Sequence, residues 1–197
     1  MKPQINVDVK SGDIISAYIE TSFDEGKSKL EKAKYGIISF RKNARLRLQE
    51  GKYSFISQNG NWVKEGFLYL PNTEKFLTKK AIQVHGTGEE IYLTDEQVEQ
   101  ALSDSLKLPN NNFSVPTNSF GDKDDTGLTN YIFGDFAEEY GDFLCKKVGI
   151  KEMPIEMADN CEDKRFIRQA WFGRLFSESK LIGYTGLAYR VRGINNQ

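Results

Sequence analysis

The chain has 197 residues, and its 27 basic and 28 acidic side chains give a formal net charge of -1. This balance excludes a protein whose overall field gathers nucleic acid or an anionic membrane, and the length allows a buried core without staples. Cys145, Cys161 and the single histidine, His85, match no zinc-ligand pattern. With neither an N-terminal signal sequence nor an apolar run of about eighteen residues, we expect no membrane span and a cytoplasmic location by default.

The first half of the chain predicts antiparallel strands. Residues 6–19 indicate one or two strands with a turn at Ser11 and Gly12. Residues 35–70 read as a β-meander, because Leu46 and Leu48 alternate with polar residues and Asn59-Gly60 is a dipeptide typical of hairpin turns. Residues 23–34 read as a loop or short helix, and residues 81–93 as two strands joined by a glycine-rich bend.

Two helices are predicted in the second half. The first begins at Thr94, whose sequence Thr-Asp-Glu-Gln is that of a capping box. The second runs from about residue 134 to Val148, with one apolar face, and Gly149 suits the left-handed position after its last turn. Residues 110–127, rich in Asn, Pro, Gly and Asp, read as a loop between the helices.

This order of elements predicts an α+β fold with a mostly antiparallel sheet, two helices and an N-terminal β-meander. We expect a β-rich part over residues 1–75 that is integral to the same domain, followed by a helix-containing part over residues 76–197.

Residues that could carry catalytic or metal chemistry are few. The segment from Asp122 to Gly127 places oxygen ligands at alternate positions as a calcium loop does, but Phe133 stands where such a loop has a bidentate Glu. A solvated acidic loop is the alternative interpretation. The sequence HGTGEE, residues 85–90, has the glycines of a phosphate loop without its lysine, so a bend between strands is the preferred interpretation. We therefore expect no catalytic residues, no metal and no cofactor.

Arg41, Lys42, Arg45 and Arg47 form a local basic cluster that could meet phosphates. Used together with the acids at residues 122–125, this basic strand would fit a nucleic-acid-associated enzyme or accessory protein. The alternative is an edge strand protected by charge.

The C-terminal stretch, residues 171–197, mixes aromatic, hydroxyl, small and basic residues without a period of two or of 3.6. Tyrosine offers large, rigid contact area, while Ser, Gly and Thr adapt around it, which is the composition of antibody-like contact surfaces. The stretch therefore predicts a contact surface, and an ordinary strand and loop is the alternative.

The same third of the chain resembles the variable proteins of diversity-generating retroelements. The resemblance rests on FIRQAWFGRL, residues 166–175, and on the closing RVRGI from Arg190 to Ile194. It implies a C-type lectin-like fold and a C-terminal variable region at about residues 171–190. It also implies adenine-directed mutagenesis of Asn codons, which yields Tyr, Ser, Phe, Arg, Gly, Ile, Thr and Ala, but not Glu or Lys.

The resemblance further implies which side chains vary and which form the framework. The variable, ligand-binding set would be Gly173, Arg174, Phe176, Ser177, Ser179, Ile182, Tyr184, Thr185, Ala188 and Tyr189. The framework set, packed inward, would be Trp171, Leu175, Leu181, Leu187 and Val191.

These inferences lead to one main hypothesis. The chain would be a non-enzymatic binding protein with a diversified surface for an unknown macromolecule, most simply a protein. We expect neither nucleic acid nor membrane as its partner, and the sequence leaves its oligomeric state open.

Overall fold

The computed structural model describes residues 3–11, 14–84, 92–158, 164–175, 180–183 and 190–196. Within these ranges eleven strands form one sheet. The strands are β1 (Asn6–Ser11), β2 (Ile14–Glu20), β3 (Gly36–Ile37), β4 (Asn61–Tyr69), β5 (Lys75–Thr78), β6 (Ser105–Leu108), β7 (Phe113–Pro116), β8 (Glu152–Met157), β9 (Phe166–Phe172), β10 (Leu181–Gly183) and β11 (Arg190–Asn196).

Helices precede and follow these strands along the chain. They are α1 (Phe23–Lys32), α2 (Phe40–Glu50), α3 (Phe55–Gln58), α4 (Ala81–Val84), α5 (Asp95–Leu102), α6 (Leu128–Phe133) and α7 (Ala137–Asp142). Two 3₁₀ turns, Thr117–Ser119 and Gly134–Phe136, and a π-helical segment, Phe143–Val148, complete the described helical structure. None of the helices in the described ranges combines the length and apolar character needed to cross a membrane.

The sheet joins the two ends of the chain. Its strand order is β1-β2-β11-β4-β9-β10-β8-β7, with β3 beside β11 and β5 between β4 and β6. Most pairs are antiparallel, whereas β11 with β4 and β10 with β8 are parallel. The last strand, β11, therefore lies between β2 and β4, so the C-terminal strand is enclosed by N-terminal ones.

Both faces of the sheet are covered by helices. On one face, side chains of β4 and β9 such as Phe67 and Phe172 pack with α2, α6 and α7 in the largest core cluster. On the other face α1 covers Val191 of β11, and α4 and α5 cover Leu68 of β4. Each face of β4 thus contributes to a different cluster, which explains why six of the eight residues after Asn61 are apolar or small rather than alternating.

The predicted β-meander over residues 35–70 is wrong. Residues 40–50, which include the alternating Leu46 and Leu48, form helix α2, and residues 55–58 form α3. The Ser39 hydroxyl accepts the Lys42 N–H at 3.2 Å and caps α2. Asn59-Gly60 is no hairpin turn, because it joins α3 to β4.

Other local predictions also differ from the structure. Residues 81–84 form α4 rather than a strand, and the bend predicted at residues 86–88 falls outside the described residues. The predicted loop over residues 110–127 contains strand β7, which pairs with β8. Residues 23–32 form helix α1, the second of the two alternatives predicted there, and α2 and α6 are the main helices that the sequence did not predict.

Several predictions are confirmed. Strands β1 and β2 pair antiparallel. Thr94 caps α5 with the complete reciprocal capping box to Gln97. The second predicted helix is present as α7 with its flanking turns, and Gly149 adopts the left-handed conformation after it with φ of 93°.

Candidate functional site

The C-terminal sequence Arg190-Val191-Arg192-Gly193 lies on β11, and its second arginine, Arg192, points into the protein interior. Arg192 is fully buried. Its guanidinium donates to both carboxylate oxygens of Asp8 on β1, each at 2.7 Å, and to the Ser16 hydroxyl on β2 at 2.6 Å. A bidentate, desolvated pair of this kind fixes both distance and orientation. Arg192 therefore fastens the C-terminal strand to both N-terminal strands.

The other face of β11 approaches its neighbours too closely for larger residues. A Cβ on Gly193 would lie 2.8 Å from the Tyr35 Cβ, and one on Gly26 of α1 would lie 2.5 Å from a methyl carbon of Val191. Gly26 therefore lets helix α1 lie directly on β11, and Gly193 lets β11 approach the segment at Tyr35 and Gly36.

Two segments that hold most of the predicted variable residues, 176–179 and 184–189, lie outside the described residues. The described residues on either side of them define the candidate site. We call these flanking residues the anchor residues: Gly173, Leu175, Lys180, Gly183 and Arg190.

The anchors before the first segment are attached to α2 and α3. The Gly173 carbonyl accepts from the Arg47 guanidinium of α2 at 2.8 Å, and the Leu175 N–H donates to the Ser57 carbonyl of α3 at 2.8 Å. Arg47 is fully buried and its guanidinium lies 4.0 Å from the Phe172 ring centroid. Burial lowers the pKa of Arg47 below its ordinary value. A cation buried at this point holds the backbone where β9 ends.

The anchors between the two segments are attached to β4, β8 and β9. The Lys180 ammonium lies 3.0 Å from the Glu156 carboxylate, and the Lys180 carbonyl accepts the Gly173 N–H at 2.8 Å. The Gly183 carbonyl accepts from the buried Tyr69 hydroxyl at 2.6 Å. A side chain on Gly183 would collide with Phe67, whose ring lies 2.6 Å from the Cβ position. The short strand β10 is therefore tightly fixed between the two segments.

Arg190, the anchor after the second segment, borders an exposed aromatic surface. Its guanidinium contacts Glu20, donates to the Asn59 side chain at 3.1 Å, and lies 5.4 and 5.2 Å from the ring centroids of Tyr18 and Phe55. Tyr18 and Phe55 stack with centroids 4.6 Å apart. Phe55 is partly exposed, and Tyr53 just before it is 71% exposed. We call Tyr53, Phe55 and Arg190 the fixed aromatic rim.

Three of the ten predicted variable residues lie within the described ranges. Gly173 is buried, Arg174 is exposed, and Ile182 lies on β10 opposite Trp171. The remaining predicted contact residues lie outside the described ranges: Phe176, Ser177, Ser179, Tyr184, Thr185, Ala188 and Tyr189. Their role in binding stays a prediction.

The framework prediction can be compared with burial. Leu175, Leu181 and Val191 are buried, as expected. Trp171 is partly buried and packs edge-on against Trp62, with ring centroids 5.6 Å apart. Leu187 lies outside the described residues.

The basic cluster is not the strand that the sequence suggested, because all four residues lie on helix α2. Arg41 and Arg45 both face Asp135, and both guanidiniums lie near the Phe136 ring. Arg47 points into the core. The helix therefore spreads the cluster over different directions, and it offers no continuous row of cations to a nucleic-acid backbone.

The acidic segment at residues 122–127 also has a structural explanation. One carboxylate oxygen of Asp124 accepts from the Thr126 N–H and hydroxyl at 3.0 and 2.6 Å, and the other accepts from the Thr129 N–H at 2.8 Å. Asp124 thereby organises the turn that leads into α6. No group of three or more His, Cys, Asp or Glu residues in the described part of the chain could hold a metal ion.

A buried polar network joins β4 to β9 and to helix α2. The Gln169 amide donates to the Glu65 carbonyl at 2.8 Å, and the Glu65 carboxylate accepts the Phe40 N–H at 3.1 Å. Burial raises the pKa of Glu65 to about 7, while the bond from Phe40 opposes this rise. Nearby, the Asn43 amide donates to the Asn61 side chain at 2.7 Å.

Sequence reasoning missed the fixed aromatic rim. Tyr53 and Phe55 were assigned to a strand of the meander, where alternation would have given each a conventional core or surface position. The sequence KYSF, residues 52–55, could have indicated this surface, because aromatic residues beside polar ones are typical of binding surfaces.

Comparison with known proteins concerns the fold alone. No protein-family model matches this chain, and no curated protein matches it. A solved structure from Nanoarchaeota, described as "Accommodation of massive sequence variation in Nanoarchaeota by the C-type lectin fold", is similar to it with a TM-score of 0.65. The match has 11% sequence identity and covers 100% of this chain and 99% of that chain.

The predicted fold class is confirmed by this match over the whole chain. The chain has the C-type lectin fold.

Proposed function

We propose that the chain is a non-enzymatic binding protein whose C-terminal region, at about residues 171–190, carries a diversified contact surface produced by retroelement mutagenesis. The observation that carries the proposal is the set of anchor residues. Each segment leaves and re-enters the fold through backbone or ionic contacts to buried elements, as at Leu175 with Ser57 and at Gly183 with Tyr69. Sequence between fixed ends can change without altering the fold.

Two further observations support this proposal. The similar Nanoarchaeota structure is described as accommodating massive sequence variation within the same fold. The anchor residues are held mostly through backbone atoms, which do not depend on the neighbouring side chains. The fixed aromatic rim would add invariant contact area beside the variable segments, with Tyr and Arg as the residue types that dominate binding energy.

Sequencing tests diversification directly. Codons 171–194 are read across many cells of the source population together with the flanking DNA, and codons 14–37 serve as an internal control. We expect differences confined to adenine sites of a nearby near-repeat and concentrated in the codons of the predicted variable residues between positions 171 and 190. Identical codons throughout, with no near-repeat nearby, would contradict the proposal.

A triple substitution tests the contact role. Phe176→Ala, Tyr184→Ala and Tyr189→Ala together should leave the free energy of unfolding within about 1 kcal/mol of the parent, since exposed positions rarely matter more. Leu181→Ala, a buried control on β10, should cost about 2–5 kcal/mol. Denaturant titration measures both variants. A large loss in the triple variant would identify these residues as core and remove the contact surface.

A further inference from the structure

A pocket of about 400 Å³ lies away from the anchor residues, at the Asn195 end of β11. Lys34 after α1, Lys42 on α2 and Lys64 on β4 line it, together with Gly36, Ser39 and Asn195. Three elements that are distant in sequence thus bring three ammonium groups around one cavity.

Among the described residues, the lysines of this pocket have no acidic side chain beside them in its lining. None of its lining residues is acidic, and within the described ranges the three lysines form no ion pair. Elsewhere lysines pair with acids, as Lys146 does with Asp142 at 2.8 Å. The neighbouring acid, Glu65, is buried and its carboxylate accepts the Phe40 N–H instead. Like charges around a cavity repel one another, and a bound anion would relieve that repulsion.

The backbone at the pocket is also arranged in an unusual way. Lys34 has φ of 64°, the left-handed conformation that follows α1 and that glycine normally occupies. Helix α2 begins at the pocket, with Ser39 as its cap, and the positive end of its dipole adds to the lysine charge.

We propose that this pocket binds the phosphoryl group of a small soluble phosphate compound. Lysine binds phosphate as a point charge and does not need the planar, bidentate geometry that arginine uses. The cavity volume is in the range of small-molecule sites. The pocket lies at the opposite end of β11 from Arg190, so this site is independent of the proposed contact surface.

Calorimetric titration of the full chain with inorganic pyrophosphate at low ionic strength tests the proposal. We expect saturable binding at one site, weakened about tenfold by Lys42→Gln or Lys64→Gln, because each removes a charged hydrogen-bond donor. The matched control replaces three exposed lysines outside the pocket, Lys123, Lys147 and Lys164, by Gln. It should bind pyrophosphate like the parent.

Lys34→Gly separates the site from the fold. Glycine suits the left-handed position, so the thermal midpoint should stay the same or rise while pyrophosphate affinity falls about tenfold. Absence of saturable binding, or an equal loss in the control variant, would overturn the proposal. Lysine-dependent binding to phosphatidic acid vesicles without any binding of pyrophosphate would also overturn it, because the phosphoryl group would then belong to a lipid.

Discussion

Arg190 and Arg192 lie two residues apart on β11 and point to the same side of the strand, on either side of Tyr18. Arg192 is buried against β1 and β2, where it pairs with Asp8 and Ser16. Arg190 instead contacts the exposed Glu20 and the rings of Tyr18 and Phe55. One arginine therefore belongs to the framework and the other to the candidate site. Within one short motif, a buried arginine and an arginine near the surface are thus only two residues apart.

The same contrast extends along the chain. The framework relies on buried polar groups with defined partners, such as Arg47 with Gly173 and Glu65 with Phe40. The candidate site relies on segments attached at their ends. Buried polar pairs specify one geometry because an unpaired partner is costly, and end attachment leaves the residues between the ends free to differ.

The largest expected effect is the loss of the Arg192 contacts. Arg192→Met keeps an unbranched, flexible side chain but leaves Asp8 and Ser16 without their donor, so we expect a loss of about 3–5 kcal/mol in the free energy of unfolding. Denaturant titration measures it. Adding Asp8→Asn should recover part of the loss, because the uncompensated charge is removed. A loss below about 1 kcal/mol would contradict the framework role of Arg192.

The next effect concerns pH. The pKa of Glu65 is raised from 4.5 to about 7 in the folded protein. Between these values the folded state keeps a proton that the unfolded state releases, so stability is fully present below pH 4.5 and falls as the pH rises through 7. The difference corresponds to about 3 kcal/mol.

Glu65→Gln should therefore flatten the pH dependence of stability between pH 5 and 8, because the amide oxygen can still accept the Phe40 N–H. Thermal unfolding at several pH values measures this change. Glu139→Gln, an exposed control with the same change in charge, should retain the parent profile. An unchanged profile in Glu65→Gln would show that Glu65 is not the group that titrates.

These buried polar residues also explain why part of the fold could not be predicted. Helix α2 buries Phe40, Asn43, Ala44, Leu46 and Arg47, and two of these five residues are polar. Hydrophobic periodicity therefore missed the helix and followed Leu46 and Leu48 instead. The dipeptide Asn59-Gly60 suggests a hairpin turn, but glycine is needed at position 60 for packing, because the Trp171 ring lies 2.6 Å from its Cβ position.

Local sequence signals predicted the structure more accurately than hydrophobic periodicity did where the interacting groups are close in sequence. The Thr94 capping box and the left-handed Gly149 depend only on near neighbours in the sequence, and both are present. For the site, composition and resemblance identified the C-terminal third. The partners of the anchor residues, Arg47, Ser57 and Tyr69, could not be predicted, because each is separated from its anchor residue by about a hundred residues or more.

A smaller effect is expected at the close approach of β11 to β3. Gly193→Val would place atoms against Tyr35 and the Gly36 carbonyl and should cost about 1–3 kcal/mol through overpacking. Gly36→Ala is the matched control, since a Cβ there meets no atom within 4 Å. Denaturant titration compares the two variants. Equal stability losses would show that close packing does not require glycine at position 193.

The smallest stability effect is expected at Arg190. Arg190→Gln removes the contacts to Glu20 and to the Tyr18 and Phe55 rings, all near solvent, so the free energy of unfolding should fall by about 0–1 kcal/mol. Denaturant titration beside Arg192→Met gives the direct comparison. If the two losses are equal, β11 is framework along its whole length and the fixed aromatic rim is part of the core. If they differ as expected, the contact surface begins at Arg190, and partner binding should weaken in Arg190→Gln while the fold remains intact.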